Sequence, residues 1–328
     1  MTHRFLFINT REANCSIYEK GLTFFNINEK TEHWNMDYVE ADYLDVNELH
    51  NGRIKLKNGM EPPPYDVYIF NYHPYTMREL EKIDCNHFHK LNGVKYCMVV
   101  EEVRDEINPT IDNVPDVFNG YIILDPTKDF KNPRYHSYPR VLTRFIEGQE
   151  VEPEVPIIGC FGYVTVDKGF DLIVKAASEE FEKSIVRFNL PQATYADQNK
   201  SLLNTVIAQC HAAAGDRVEL QITHNFYSNE ELIDWCAQNT VNAFFYQRKI
   251  LGIAAAPDQA VACGRPIAVV DNPTFRHIYK YQQPYPQMSL RETIKNGVKY
   301  TKQIQNDWSH DTCHNRLTEI IFDGNDNE

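Results

Sequence analysis

The stretch Ile157-Ile158-Gly159-Cys160-Phe161-Gly162-Tyr163-Val164-Thr165-Val166-Asp167-Lys168-Gly169-Phe170-Asp171-Leu172 decides the fold. Ile157–Phe161 is a short, continuous apolar run of the kind that forms a strand covered on both faces. Gly162 turns the chain, and the loop that follows carries a single lysine, Lys168, just before Gly169. From Phe170 to Phe181 the residues Phe170, Ile173, Ala177 and Phe181 recur on one face, which predicts a helix. Strand, glycine turn, lysine and helix start together suit an anion, because a cation and free backbone N–H groups meet at the strand's carboxyl end. The same order also serves an ordinary strand-to-helix connection with a solvated lysine.

Toward the carboxyl terminus the alternation continues. Ile185–Asn189, Val218–Thr223, Val241–Tyr246 and Pro266–Val270 read as strands. Ser228 with Glu231 makes a capping box that opens a helix over Asn229–Gln238, and Ser289 with Glu292 opens another over Leu290–Gln305. A final helix is expected over Asp311–Phe322. Between Asn242 and Val270 a buried strand feeds a loop of small residues around Gly252, then a short helix that Pro257 starts and Gly264 ends. Small residues leave room for a ligand against backbone, and N–H groups at that helix start could hold a diphosphate. They equally allow tight packing of helix on sheet.

Toward the amino terminus, Glu147–Pro156 is charged and Pro-containing and reads as a linker. Before it, Arg4–Ile8, Val67–Phe70, Lys95–Val100 and Tyr121–Leu124 are strand candidates. Thr76 with Glu79 makes a capping-box pattern that predicts a helix after Pro74. Alternation on both sides of the linker predicts an α/β protein of two doubly wound, Rossmann-like domains facing across a cleft: residues 1–150, residues 151–305, and a tail over 306–328 that returns to the first. Ligands of such sheets bind at the carboxyl ends of the strands.

Composition narrows the function classes. Lys plus Arg number 33 and Asp plus Glu 46, a formal charge of −13, which argues against a duplex-binding surface and so against nucleic acid as partner. No segment approaches the roughly 20 apolar residues of a membrane-spanning helix, and the start of the chain lacks the charged-then-apolar design of a signal peptide. The eight cysteines are scattered, none in a C-x-x-C pair, as expected of reduced core residues in a cytoplasmic protein without a zinc or other metal site.

Taken together, the two loop segments resemble the carboxyl-terminal domain of the family 4 retaining glycosyltransferases, which have the GT-B fold. In that family the first segment reads Gly-Arg and then Lys-Gly. The second reads Glu-Gly-Phe-Gly and ends Glu-Ala-Met-Ala-Cys-Gly-x-Pro, against Ala262-Cys263-Gly264-Arg265-Pro266 here. The resemblance implies a donor site holding Gly162 at the turn, Lys168 on the donor phosphates and Gly252 in the loop facing the donor. It departs at Tyr163, where the family has its arginine, and at Leu251 and Gln259, where it has two glutamates. Asp258, next to the second of these, is an alternative carboxylate. Arg276 and His277, after the last strand, are candidates to compensate for the missing arginine.

In the amino-terminal half, Asp66-Val67-Tyr68-Ile69-Phe70-Asn71-Tyr72-His73-Pro74 is similar to the family's strand ending in a histidine, which makes His73 a catalytic candidate. Glu101 and Glu102 close the next strand and could bind acceptor hydroxyls or act as a base, or cap the following helix. Arg11, Asn14 and Ser16 follow the first strand, where the family has a glycine-rich loop. The expected function is transfer of a sugar from a nucleoside-diphosphate sugar, with a UDP- or GDP-sugar foremost, to a glycan or other hydroxyl acceptor. Retention and metal-independence, with no cofactor beyond the donor, are what the resemblance implies. A nucleotide-sugar epimerase, distinguished by turnover without acceptor, and a catalytically silent GT-B protein binding a glycan or partner are the alternatives.

Overall fold

A computed structural model of the 328-residue chain describes residues 2–10, 16–100, 117–192, 199–248 and 252–322. The chain forms two compact units. The first comprises Met1–Val141 with Trp308–Glu328, and the second comprises Leu142–Asp307.

The first unit is built on a six-stranded parallel sheet: β1 (His3–Asn9), β2 (Trp34–Glu40), β3 (Val67–Phe70), β4 (Val94–Val99), β5 (Gly120–Ile123) and β6 (Tyr135–Ser137). The order is β2-β1-β3-β4-β5-β6, with Phe5 opposite Val67 and Val67 opposite Val94. Helix α1 (Ser16–Asn28) connects β1 to β2, and the short α2 (Val46–His50) lies between β2 and β3. Successive strand residues point to opposite faces. Leu6, Ile8, Tyr68, Phe70, Cys97 and Val99 therefore enter one core, while Phe5, Phe7, Val67, Ile69, Tyr96 and Met98 enter the other. Burial on both faces is why these strands read as continuous apolar runs.

Two strands lacked that signature. β2 alternates Trp34, Met36 and more exposed residues, as an edge strand does, and β6 is three residues long. The Thr76 and Glu79 pair does not open an α-helix. Pro74–Leu80 is a seven-residue π-helical turn that starts after His73 without a side-chain cap.

The second unit carries β7 (Ile157–Phe161), β8 (Ser184–Asn189), β9 (Val218–Thr223), β10 (Val241–Phe244) and β11 (Ile267–Val269) in a parallel sheet of order β11-β10-β7-β8-β9. Its helices are α3 (Phe170–Glu180), α4 (Ser201–Ala214), α5 (Asn229–Ala237), α6 (Ala256–Ala262), α7 (Arg276–Tyr279) and α8 (Leu290–Asp307). The capping box of α5 forms, with Glu231 N donating to Ser228 Oγ at 3.3 Å and Ser228 N to Glu231 Oε2 at 2.8 Å. That of α8 forms likewise, Glu292 N donating to Ser289 Oγ at 3.2 Å and Ser289 N to Glu292 Oε2 at 2.9 Å.

The division between the units falls ahead of the Pro-containing linker, because the chain after Val141 already belongs to the second unit. There Ile146 N donates to Ala262 O at 2.7 Å, and Arg144 pairs with Glu230 at 2.6 Å.

After α8 the chain rejoins the first unit as α9 (His310–Phe322). Cys313, Leu317, Ile320 and Ile321 share one helical face and enter the same core as Phe5, Phe24 and Trp34. Tyr138 Oη donates to Cys313 O at 2.9 Å and Tyr96 Oη to Ile320 O at 3.1 Å, so α9 is held by hydrogen bonds as well as by apolar contact. Among the described residues no helix is long and apolar enough to cross a membrane.

Candidate functional site

Where the strand order of a parallel sheet reverses, the loops at the carboxyl ends part and leave room for a ligand. In the second unit the chain runs outward from β7 through β8 to β9, then returns to the other side of β7 as β10 and β11. The reversal therefore lies between β7 and β10, and the residues after these two strands build the site.

The loop after β7 lies directly on the backbone after β10. Gly169 caps α3 with φ +67°, and a Cβ on it would stand 2.1 Å from Phe245 O, so only glycine fits this approach. Gln247 N donates to Asp167 O at 2.8 Å, closing the two loops together. Lys168, between these contacts, is half-buried, and its Nζ stands 3.9 Å from the centroid of the Tyr246 ring. Burial, and then the positive charge of Arg248, lower its pKa to about 8. The ring face attracts the ammonium, but the site has withdrawn it from water without an acid beside it. Neither Lys168 nor Arg248 forms an ion pair among the described residues.

At the head of the same loop, Gly162 N donates to Asn189 O at 3.1 Å. A Cβ added to Gly162 would meet nothing within 4 Å, so the turn borders open space. Tyr163 is half-buried, and its ring centroid lies 6.4 Å from that of Phe226, which is 67 % exposed in the loop after β9.

The loop after β10 is fixed from the loop after β11. Buried Asn272 donates through Nδ2 to Tyr246 O at 2.8 Å and to Arg248 O at 2.9 Å. Thr274 Oγ1 donates to Gly252 O at 2.8 Å, which seats Gly252 in the interior of that loop. α6 then begins, with Pro257 in its first turn.

Asp258 and His277 are both 0 % exposed, with Asp258 Oδ1 3.8 Å from His277 Nε2. This contact ties α6 to α7 inside the unit, so neither side chain is presented to solvent. Gln259 is half-buried. Its amide lies 3.3 Å from the Asn229 side chain on α5 and within 3.1 and 3.2 Å of the Ala255 and Ala256 carbonyls. Arg276 is half-buried and donates through Nη1 to Pro273 O at 2.9 Å.

In the first unit the order reverses between β1 and β3. Asn71 Nδ2 donates to Asn9 Oδ1 at 2.7 Å and to Ile17 O at 2.8 Å, joining the ends of both strands to α1. His73 follows β3 at this edge, half-buried, with its carbonyl accepting from Met77 N at 2.9 Å. Ser16 is the exposed first residue of α1. Arg11, Asn14, Glu101, Glu102 and Leu251 lie outside the described residues.

The structure thus gathers Gly162, Tyr163, Lys168 and Gly252 at one sheet edge and sets Asp258 and His277 in the interior. It adds Tyr246 and Arg248, which reading the sequence passed over. β10 ends at Phe244 instead of Tyr246, which moves Tyr246 from strand to loop, while Arg248 lies in the loop on either reading. Their position immediately after the strand that borders the reversal was the available signal. Among the described residues no group of three or more His, Cys, Asp or Glu side chains is arranged to hold a metal ion.

No protein-family model matches the sequence, and no curated protein matches it either. Solved structures match along its whole length. The Anabaena protein Alr3699/HepE, solved with UDP and glucose, is 8 % identical with a TM-score of 0.63, over 97 % of this chain and 98 % of that one. The trehalose-6-phosphate synthase OtsA is 10 % identical with a TM-score of 0.59, over 98 % of each chain. An α-glucosyltransferase, solved with UDP and a 13-mer DNA containing an HMU base, is 9 % identical with a TM-score of 0.56, over 98 % of this chain and 100 % of that one. Two parallel-sheet α/β units matched in this way make the fold GT-B.

Proposed function

We propose that the chain is a glycosyltransferase that moves a sugar from a nucleoside-diphosphate sugar to an acceptor hydroxyl, with the second unit holding the donor and the first the acceptor. The observation that carries this reading is Lys168, withdrawn from water at the strand-order reversal of a GT-B unit, beside the open turn at Gly162. A partly desolvated ammonium is strongly favoured by an anion that arrives to meet it. UDP is the first nucleotide to test because HepE and the α-glucosyltransferase were solved with it. GDP is the second.

In this reaction the bond between the anomeric carbon and the diphosphate oxygen breaks, a bond from that carbon to the acceptor oxygen forms, and the acceptor hydroxyl loses its proton to a base. Negative charge grows on the departing diphosphate. Lys168 meets that charge from a fixed position, and one such group is worth about 2.7–4 kcal/mol in a transition state. Protein cations at the leaving group and retention at the anomeric carbon follow the family 4 resemblance. His73, at the strand-order reversal of the first unit, is the acceptor-side candidate, together with Glu101 and Glu102.

A thermal-shift screen with UDP, GDP, ADP, dTDP, CMP and their sugar conjugates tests the reading. A ligand at a hundredfold excess over its Kd stabilises the folded state by about 2.7 kcal/mol. A shift with one nucleotide supports the donor site and names the base. A flat panel favours the silent GT-B protein, for which Gln259 in place of a glutamate, its amide against the Asn229 side chain of α5, is the supporting observation.

A further inference from the structure

A nucleoside diphosphate presents more than one negative charge, and Lys168 supplies one positive charge. A second cation stands beside it. Arg248 follows β10, the strand next to β7. It comes two residues after Tyr246, whose ring lies 3.9 Å from Lys168 Nζ, and one after Gln247, whose N donates to Asp167 O at 2.8 Å, and its charge disfavours the Lys168 ammonium. Its place is built. Both its own carbonyl and that of Tyr246 accept from buried Asn272, so the short segment Tyr246–Arg248 is held at both ends.

Three donors at this edge lack an acceptor among the described residues: the Lys168 ammonium, the buried Nε of Arg248, and the hydroxyl of Tyr246, which is 2 % exposed. Buried donors are ordinarily satisfied, and two neighbouring cations ordinarily have an acid near them. A concentration of unmet donors and positive charge, with no described carboxylate paired to it, is the complement of a polyanionic ligand.

We propose that Arg248 is a second phosphate-binding residue of the donor site, presenting its guanidinium beside Lys168 to the diphosphate from the β10 side. The proposal rests on the donor reading above. It assigns a role to a residue outside the β7 loop and explains how a chain with Tyr163 after its glycine turn can still offer two cations to one ligand. A guanidinium offers paired N–H donors to phosphate oxygens, whereas an ammonium acts as a point charge.

Calorimetry with UDP, GDP, inorganic pyrophosphate and uridine on the full chain tests it, with Arg248→Gln, Arg248→Lys and Lys168→Ala as variants. The expected result is a loss of about tenfold to a hundredfold in diphosphate affinity for Arg248→Gln, an unchanged response to uridine, and a smaller loss for Arg248→Lys, which keeps the charge. Unchanged diphosphate affinity in Arg248→Gln, alongside a loss in Lys168→Ala, would overturn the role of Arg248 and leave the donor reading intact. Equal losses for uridine and UDP would overturn it as well, by showing damage not specific to phosphate. If the wild-type chain binds neither diphosphate nor pyrophosphate, the donor reading itself fails and takes the proposal with it. Should Arg248→Gln not fold, as judged by circular dichroism, Arg248→Lys carries the test. It must then bind diphosphate more weakly than wild type for the proposal to stand.

Discussion

Lys168 Nζ stands 3.9 Å from the centroid of the Tyr246 ring, which sets a cation from the loop after β7 against an aromatic face from the loop after β10. The side chain spans the reversal of strand order. Replacing it should separate binding from folding: Lys168→Ala is expected to weaken UDP binding about tenfold or more while the fold survives. Calorimetry with and without nucleotide measures both, and unchanged affinity removes Lys168 from the donor site.

The titration of Lys168 gives a pH dependence with a definite sign. A lysine in an unfolded chain titrates near about 10.4, and Lys168 in the folded chain titrates at about 8. Between those values the unfolded chain keeps a proton that the folded chain has released. Stability should therefore rise with pH across this window, and the cost of the buried charge is full below pH 8. Diphosphate binding runs the other way. The anion favours the charged lysine, so affinity should be flat below about pH 8 and fall above it by up to about tenfold per unit. Lys168→Arg should flatten that fall, and a slope that persists in the variant assigns the titration to another group.

Gly169 offers a test of the loop geometry. A Cβ there meets Phe245 O at 2.1 Å and would have to adopt φ +67°. Gly169→Ala is expected to cost roughly 2–4 kcal/mol, from backbone strain and overpacking together. Chemical denaturation reads this directly, and a variant as stable as wild type would show that the two loops are not in contact.

Asp258 and His277 lie in the interior, and breaking their contact should unsettle the unit more than it alters ligand recognition. His277→Ala removes a fully buried ring beside fully buried Asp258 and leaves a cavity, at a cost of about 2–5 kcal/mol. Asp258→Asn combined with His277→Ala should lose less than the sum of the single variants. Additive losses would show that the two side chains do not interact.

His73 has the opposite profile. Its alanine variant should reduce transfer while donor binding stays within about twofold, since binding and chemistry report on separate groups. Equal transfer rates in His73→Ala and wild type exclude it from the reaction.

Much of the fold was legible because the central strands are covered on both faces. Val67–Phe70 and Ile157–Phe161 could be read residue by residue from apolar runs, and the helices opened by Ser228 and Ser289 from their capping boxes. Edge strands β2 and β6 carried too little signal. Trp34–Glu40 alternates and Tyr135–Ser137 is short, while α4 buries only Leu203, Cys210 and Ala214 along its length. Within the site, the loop holding Gly162 and Lys168 showed itself through glycine and charge. Tyr246 did not, because its place depends on where β10 stops, and Arg248 did not, because its nearness to Lys168 comes from the packing of two loops far apart in sequence. The inward turn of Asp258 and His277 was equally hidden, since a sequence records charge but not the direction in which a helix presents it.

The return of α9 to the first unit has a consequence for how the chain is made. Residues 142–307 are contiguous and can complete their sheet as they leave the ribosome, whereas the first unit, begun earlier, must wait for a segment that follows the second. Until Cys313, Leu317, Ile320 and Ile321 arrive, the apolar face that includes Phe5, Phe24 and Trp34 lacks part of its cover. The unit begun ahead of residue 142 is thus completed only after residues 142–307 have been made, and until then its uncovered apolar face is the one open to misassembly.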